Sequence, residues 1–180
     1  MRIEKGISAV LACLMFFWIG RIVSINRIAP STLYYDIGDS MDCGEVELLF
    51  LESHIDNPNE FTDRFGVNYV NDEAEYRMIS ICIEVFNKSD KDIAWNEIFS
   101  FLEGGFESPT WASTIDPSAT SMINILNNNS LASGNSQRIW LLTEINKSCF
   151  KDSTWQRIEK TQYIYVLSLV PQKTAVRLDA

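Results

Sequence analysis

The sequence predicts an all-β sandwich preceded by one N-terminal transmembrane helix. Three observations carry this. A charge-free apolar run lies near the N-terminus. Apolar residues recur at every second position through most of the remaining chain. Turn-forming residues separate those alternating segments. The length of 180 residues suits one domain plus an appendage. Hydrophobic residues make up 46% and charged residues 22%, which excludes wholesale disorder and collagen-like repeats.

The apolar run Gly6–Gly20 (GISAVLACLMFFWIG) has no charged residue, and Ile22, Val23 and Ile25 extend it past Arg21. As a helix, Gly6–Ile25 reaches about 30 Å, one hydrocarbon thickness. Arg21 near one end would snorkel to the headgroups, and Trp18 would sit at the same interface. Two other fates share these residues. The positive start and apolar run resemble a cleavable signal peptide, although Gly20–Ser31 offers no good small-x-small site. Val10-Leu11-Ala12-Cys13 resembles a lipobox with Cys13 as the lipidated residue, but the run stays apolar for seven residues beyond it. The retained anchor is the favoured fate. All three place the rest of the chain outside the cytoplasmic membrane. The expected division is residues 1–27 as anchor, 28–35 as connector and 36–180 as sandwich.

Period-two patterning then takes over. Gly44–Ser53 (GEVELLFLES) puts Val46, Leu48 and Phe50 on one face. Tyr76–Asn87 (YRMISICIEVFN) groups Ile79, Ile81, Ile83 and Val85, and its other face is only partly polar. Gln137–Ile145 and Gln162–Val170 are apolar on both faces, as expected at a sandwich interface; Trp140 is read as core. Thr174–Leu178 follows Pro171 as a last strand. Pro58–Phe65 is expected to form one or two helical turns, with Asn57 as N-cap and Gly66 as terminator. Asn87–Asp92, Asn127–Ser130 and Ser133–Ser136 read as turns, and Gly104-Gly105 with Ser108-Pro109 as the start of a long irregular stretch.

These residues also carry a resemblance. The strand Tyr76–Asn87 leads into NKSDKDI. Leu131-Ala132-Ser133-Gly134-Asn135-Ser136 precedes RIWLLTEI, and the chain closes with YVLSLVPQKTAVRL. The order resembles the immunoglobulin-like domains of unknown function found outside Gram-positive cells behind a signal anchor or lipobox. Those are similar in fold to a secreted mycobacterial immunoglobulin-like antigen. The resemblance spans roughly residues 36–179, with Ala132-Ser133 where a proline is usual. It implies an immunoglobulin-like sandwich on the cell surface and carries over no catalytic residue.

Charge is unevenly distributed. Residues 1–27 sum to +3, 36–116 to −15 and 117–180 to +3, for a net −9. So acidic a body is repelled by phosphate backbones, which argues against a nucleic-acid partner. Phosphate-binding loops, a nucleophile elbow, HExxH and CxxC are all missing from the sequence. No cofactor or metal is expected. His54 is the sole histidine and reads as an exposed loop residue. Glu45 and Glu47 would share a strand face about 7 Å apart, a carboxylate spacing compatible with acid/base work. Asp36, Asp39 and Asp42 offer oxygens for Ca²⁺, without the EF-hand order.

Trp111 stands between Pro109 and Pro117. If exposed it is the best candidate for a partner contact; otherwise it folds back onto the sandwich. Cys43, Cys82 and Cys149 lie outside the anchor, so at most one bridge forms, with Cys43–Cys149 the candidate pair. Asn87, Asn128 and Asn146 begin N-x-S acceptor patterns, relevant only to a eukaryotic source.

The expected function is a membrane-anchored, non-catalytic extracytoplasmic binding module whose partner is another envelope protein. The alternative is an accessory or immunity-type subunit of a membrane complex. Its helix would pack through the small residues Gly6, Ser8, Ala9, Ala12 and Cys13. A cell-wall hydrolase using Glu45, Glu47 and His54 is a third class.

Overall fold

The computed structural model describes residues 15–21, 31–67, 72–126, 128–169 and 172–179. The chain divides into two compact units between Ser31 and Thr32. In the first, residues 15–21 are helical (α1), and Met15, Phe16, Phe17, Trp18 and Ile19 are all exposed. Among the described residues no helix is long and apolar enough to cross a membrane. Cys13 and most of Gly6–Ile25 lie outside the described residues.

The second unit is a β-sandwich. Its strands are β1 (Leu33–Tyr35), β2 (Ser40–Asp42), β3 (Val46–Asp56), β4 (Tyr76–Asn87), β5 (Ile93–Ala94), β6 (Gly105–Ser108), β7 (Trp111–Thr114), β8 (Ser130–Leu131), β9 (Ser136–Asn146), β10 (Ile164–Ser168) and β11 (Thr174–Arg177). Among the described residues, short α-helices join them: α2 (Pro58–Phe65), α3 (Trp95–Phe101), α4 (Pro117–Ile123) and α5 (Asp152–Trp155). One sheet runs β1-β11-β10-β6-β7, the other β2-β3-β4-β9, and β5 with β8 forms a small ribbon. Strand β1 pairs parallel with β11, so the connector expected over 28–35 already contains the first strand.

The two inner faces make one core. Val46, Leu48, Phe50, Ile79, Ile81, Ile83, Val85, Ile139 and Leu141 come from the four-stranded sheet. Phe106, Tyr165, Leu167 and Val176 come from the five-stranded one. Period-two alternation explains this directly: each strand lays its branched or aromatic residues on one side and buries them against the other sheet. The expected irregular stretch after Gly104 is instead the β6–β7 hairpin, two four-residue strands too short to show a period. A Cβ at position 104 would collide with the Val166 carbonyl, so glycine is what allows the chain to enter β6 against β10.

The outer face of the four-stranded sheet is half covered. Phe61 of α2, Ala119 of α4, Met78 and Leu142 form a second, smaller core there. Helix α2 has the cap the sequence announces. Asn57 Oδ1 accepts from the backbone N–H groups of Asn59 (2.9 Å) and Glu60 (3.0 Å). Glu60 Oε2 accepts from the Asn57 N–H at 2.9 Å, and Gly66 closes the helix at φ 65°. Asn57→Ala is expected to lower unfolding stability by about 1 kcal/mol, with Asn57→Asp close to the parent. Urea midpoints at unchanged slope measure it.

Strand β9 ends its sheet and would expose a long unpaired ladder. The residues around α4 cover it. Asn124 Oδ1 accepts from the Trp140 N–H and Asn124 Nδ2 donates to the Trp140 carbonyl, both at 2.7 Å. The Asp116 N–H donates to the Leu142 carbonyl at 2.8 Å. One side-chain amide thus stands in for a neighbouring strand.

Candidate functional site

A β-bulge decides where the polar groups go. Before it, Val46, Leu48 and Phe50 face the core. The register shifts between Phe50 and Glu52, after which Ser53 pairs with Ile81 and Ile55 with Ile79 on the inner side. Without that extra residue His54 would point into the core. With it, Glu52, His54 and Asp56 all face outward beneath α2.

There they form one cluster with Arg64 and two aromatic rings. Arg64, in the last turn of α2, grips Asp56 with two parallel bonds: Nε to Oδ2 at 2.8 Å and Nη2 to Oδ1 at 3.0 Å. Asp56 is 4% exposed. The pairing, together with the Coulombic field of Asp56, Glu52 and Glu60, raises the guanidinium further above its ordinary value. His54 Nε2 lies 3.1 Å from Glu52 Oε2 and 3.3 Å from Arg64 Nη1. With a proton on Nε2 it donates to Glu52; without one it accepts from Arg64. The imidazole rests on Trp140 at 5.9 Å between centroids, and Phe65 meets the same indole edge-on at 4.9 Å. His54 is therefore a half-buried strand residue rather than an exposed loop residue. Trp140 is half-buried on the outer face rather than in the main core. A period-two reading of QRIWLLTEI leaves open which face is inner, because both are apolar.

The remaining candidates are dispersed. Glu45 sits in the turn before β3 and pairs with Lys91 at 3.1 Å, while Glu47 lies on the outer face of β3. Asp36 accepts from Arg177 at 3.0 Å, and Asp39 Oδ2 accepts the Asp36 N–H at 2.8 Å. Asp42 accepts from Lys88 Nζ at 2.6 Å and from the Gly44 N–H at 2.8 Å, which holds its carboxyl below the usual range. The calcium candidates thus serve turns and ion pairs. Among the described residues no group of three or more His, Cys, Asp or Glu is placed to hold a metal. Trp111 is half-buried. It packs on the core between Phe150 and Tyr163, each 6.2 Å away.

The Cys43–Cys149 bridge does not form: all three described cysteines are free. The register gives the reason. Cys43 precedes the Val46–Asn87 pair, and Cys149 follows the Asn146–Tyr76 pair at the opposite end of β4. That strand separates them by about 35 Å, far beyond disulfide reach. Burial pushes the Cys43 and Cys82 thiols up to about 11. At pH 8 only about one in a thousand of either is thiolate. Iodoacetamide is therefore expected to label Cys149 in the folded chain and to reach Cys43 and Cys82 only after unfolding, read by peptide mass mapping.

No family model and no curated protein matches the chain. Solved structures resemble it. One is an uncharacterized β-sandwich protein from Clostridium difficile, with TM-score 0.53 and 10% identity, covering 83% of this chain and 96% of that one. Another is a conserved hypothetical protein from Bacillus anthracis, with TM-score 0.53 and 12% identity, covering 81% and 95%. At such identities the likeness is one of fold: a β-sandwich shared with uncharacterised proteins of Gram-positive bacteria.

Proposed function

We propose that the chain is a membrane-anchored extracytoplasmic interaction module of immunoglobulin-like type. The observation that carries this is the apolar run Gly6–Ile25 standing ahead of a β-sandwich. Seven residues separate Ile25 from Leu33, a tether of at most about 25 Å. The immunoglobulin-like assignment draws support from strand order. β11-β10-β6-β7 follows the G-F-C-C′ sheet, and β4 beside β9 follows the B–E pair. The partner is another envelope protein, held by surface complementarity without covalent chemistry. What supports a non-catalytic reading is that Glu45 and His54 are engaged by Lys91, and by Glu52 and Trp140, in separate places.

The test is protease treatment of intact bacterial cells expressing the full chain, followed by intact mass of the membrane fraction. The expected result is an unprocessed mass in the membrane and removal of residues beyond the anchor by external protease. A full-mass chain in the soluble fraction would overturn the reading. A mass lacking residues 1–12 with lipid on Cys13 would replace the helix by a lipid tether. Exchanging Gly6–Ile25 for an unrelated anchor distinguishes the module, which tolerates it, from a membrane-complex subunit, which does not.

A further inference from the structure

Strand register gives the sandwich unit two ends. In one sheet β1 and β11 start side by side, Leu33 against Thr174, and Thr174 lies opposite Ser168 at the close of β10. Gly105, the first residue of β6, lies opposite Val166 and Thr114. In the other sheet Val46 pairs with Asn87 and Phe86 with Ser136 at one end, and Asp56, Tyr76 and Asn146 lie at the other. The Ser53 hydroxyl donates to the Asp179 carbonyl at 3.0 Å, and Trp111 packs on Phe150 and Tyr163. These contacts bring the far ends of the two sheets together, and so the near ends as well. Strand β4 sets the two ends about 40 Å apart.

The ends differ in chemistry. The far end is charged: Asp72, Glu73, Lys151, Asp152, Arg157 and Lys160 are all exposed, and among the described residues no exposed large hydrophobic side chain lies there. The near end presents apolar side chains from four separate segments. Leu33 opens β1, Phe101 closes α3, Leu169 follows β10 and Ile125 follows α4. The Ile125 carbonyl accepts from Gln137 Nε2 at 2.9 Å, which places it by the start of β9. Leu169 is 66% exposed and Ile125 86%. Single exposed apolar residues are ordinary, but here they gather at one end and spare the other.

The covalent chain says what lies against the apolar end. Leu33 belongs to it and is also the first residue of the first strand, seven residues after Ile25 of the apolar run. An anchored chain therefore delivers this end, and not the charged one, to the bilayer. Leucine, isoleucine and phenylalanine side chains are stabilised by entering the boundary between headgroups and acyl chains. Glu103, exposed and sharing a surface groove with Leu169, offers no attraction to anionic headgroups, so the contact is apolar.

We propose that this end of the sandwich docks on the bilayer surface, with Leu33, Phe101, Ile125 and Leu169 seated among the headgroups of neutral lipid. The inference rests on the anchored reading and adds to it: the sandwich stands end-on with its charged end outward, and does not swing free on its connector.

The test uses the full chain in phosphatidylcholine nanodiscs doped with a lipid that carries a gadolinium chelate on its headgroup. Leucine and isoleucine methyl signals are followed for paramagnetic broadening. The expected result is strong broadening at Leu33, Ile125 and Leu169 and little at Ile55, Ile158 and Ile164, unchanged by added salt. Leu169→Gln with Ile125→Gln changes two exposed positions, so fold and anchor are retained. The pair is expected to remove most of the broadening at Leu33. A chain that does not stay with the nanodisc would overturn the anchored reading and this inference with it. A chain that stays but broadens equally at both ends, loses the broadening in high salt, or is indifferent to the double variant would overturn the docking alone.

Discussion

Asn87→Ala is expected to cost the sandwich about 3 kcal/mol or more, because one amide side chain organises three loops. Asn87 is fully buried at the end of β4. Its Nδ2 donates to the Lys91 carbonyl at 2.8 Å and the Leu131 carbonyl at 2.9 Å. Its Oδ1 accepts from the Ser89 N–H at 3.0 Å and the Ser89 hydroxyl at 2.7 Å. The backbone joins in, with its N–H donating to Asn135 and its carbonyl accepting from Gly134. Truncation leaves the Leu131 carbonyl in a buried site without its donor and unties the turn Asn87–Asp92 from the turn before β9. Each unmade bond in such a place costs about 1–3 kcal/mol. Asn87→Asp keeps the Ser89 contacts and loses both donated bonds, so it should fall on the same side. Urea unfolding followed by tryptophan fluorescence measures the loss. A midpoint within about 0.5 kcal/mol of the parent would mean that water replaces the amide. The acceptor pattern at Asn87 is thereby explained without sugar: the amide is occupied inside the fold.

Strands long enough to display a period were legible from the sequence. Tyr76–Asn87 is a strand over those same residues, and Pro58–Phe65 is a helix with the expected caps, because alternation and capping are local properties. What the sequence hid was non-local. β1 is a strand only because Leu33–Tyr35 lies against Thr174–Val176, about 140 residues later in the chain. β6 and β7 are each four residues and open with a glycine and a tryptophan after loop-like dipeptides. The prolines around Trp111 suggested an exposed loop; the hairpin instead turns this half-buried indole onto Phe150 and Tyr163.

The polar cluster was hidden for another reason. A single bulge residue reverses which parity of β3 faces outward, and nothing in GEVELLFLES announces where that residue falls. Once Glu52, His54 and Asp56 face α2, reach alone selects their partners. Arg64 is eight positions after Asp56, and Trp140 is brought in by the β4–β9 pairing opposite Cys82.

The second large effect is expected at this cluster. Arg64→Met removes both bonds to Asp56 and leaves a carboxylate whose side chain is 6% exposed without its counter-charge. Breaking a fully buried pair from one side costs about 3–5 kcal/mol. Arg64 is 35% exposed in its side chain, and water can enter where the guanidinium was, so about 2 kcal/mol is the expected loss. The methionine stem keeps most of the apolar contact of the arginine chain, so the loss reports the ion pair rather than packing. The double variant Arg64→Met with Asp56→Asn should recover a substantial part, since a neutral amide is cheaper to bury than an unpaired charge. A coupling energy of about 1 kcal/mol or more from the cycle would place the pair among the ties that hold α2 on the sheet. Strict additivity would instead assign that role to Phe61 and Phe65 alone. The same variants bear on His54. With Arg64 gone, its Nε2 retains only Glu52, so the imidazole should donate there and keep its place on Trp140. Nitrogen-15 shifts of the His54 ring in Arg64→Met should then show Nε2 protonated, and an acceptor-like Nε2 would contradict the exchange of partners inferred from the two short distances.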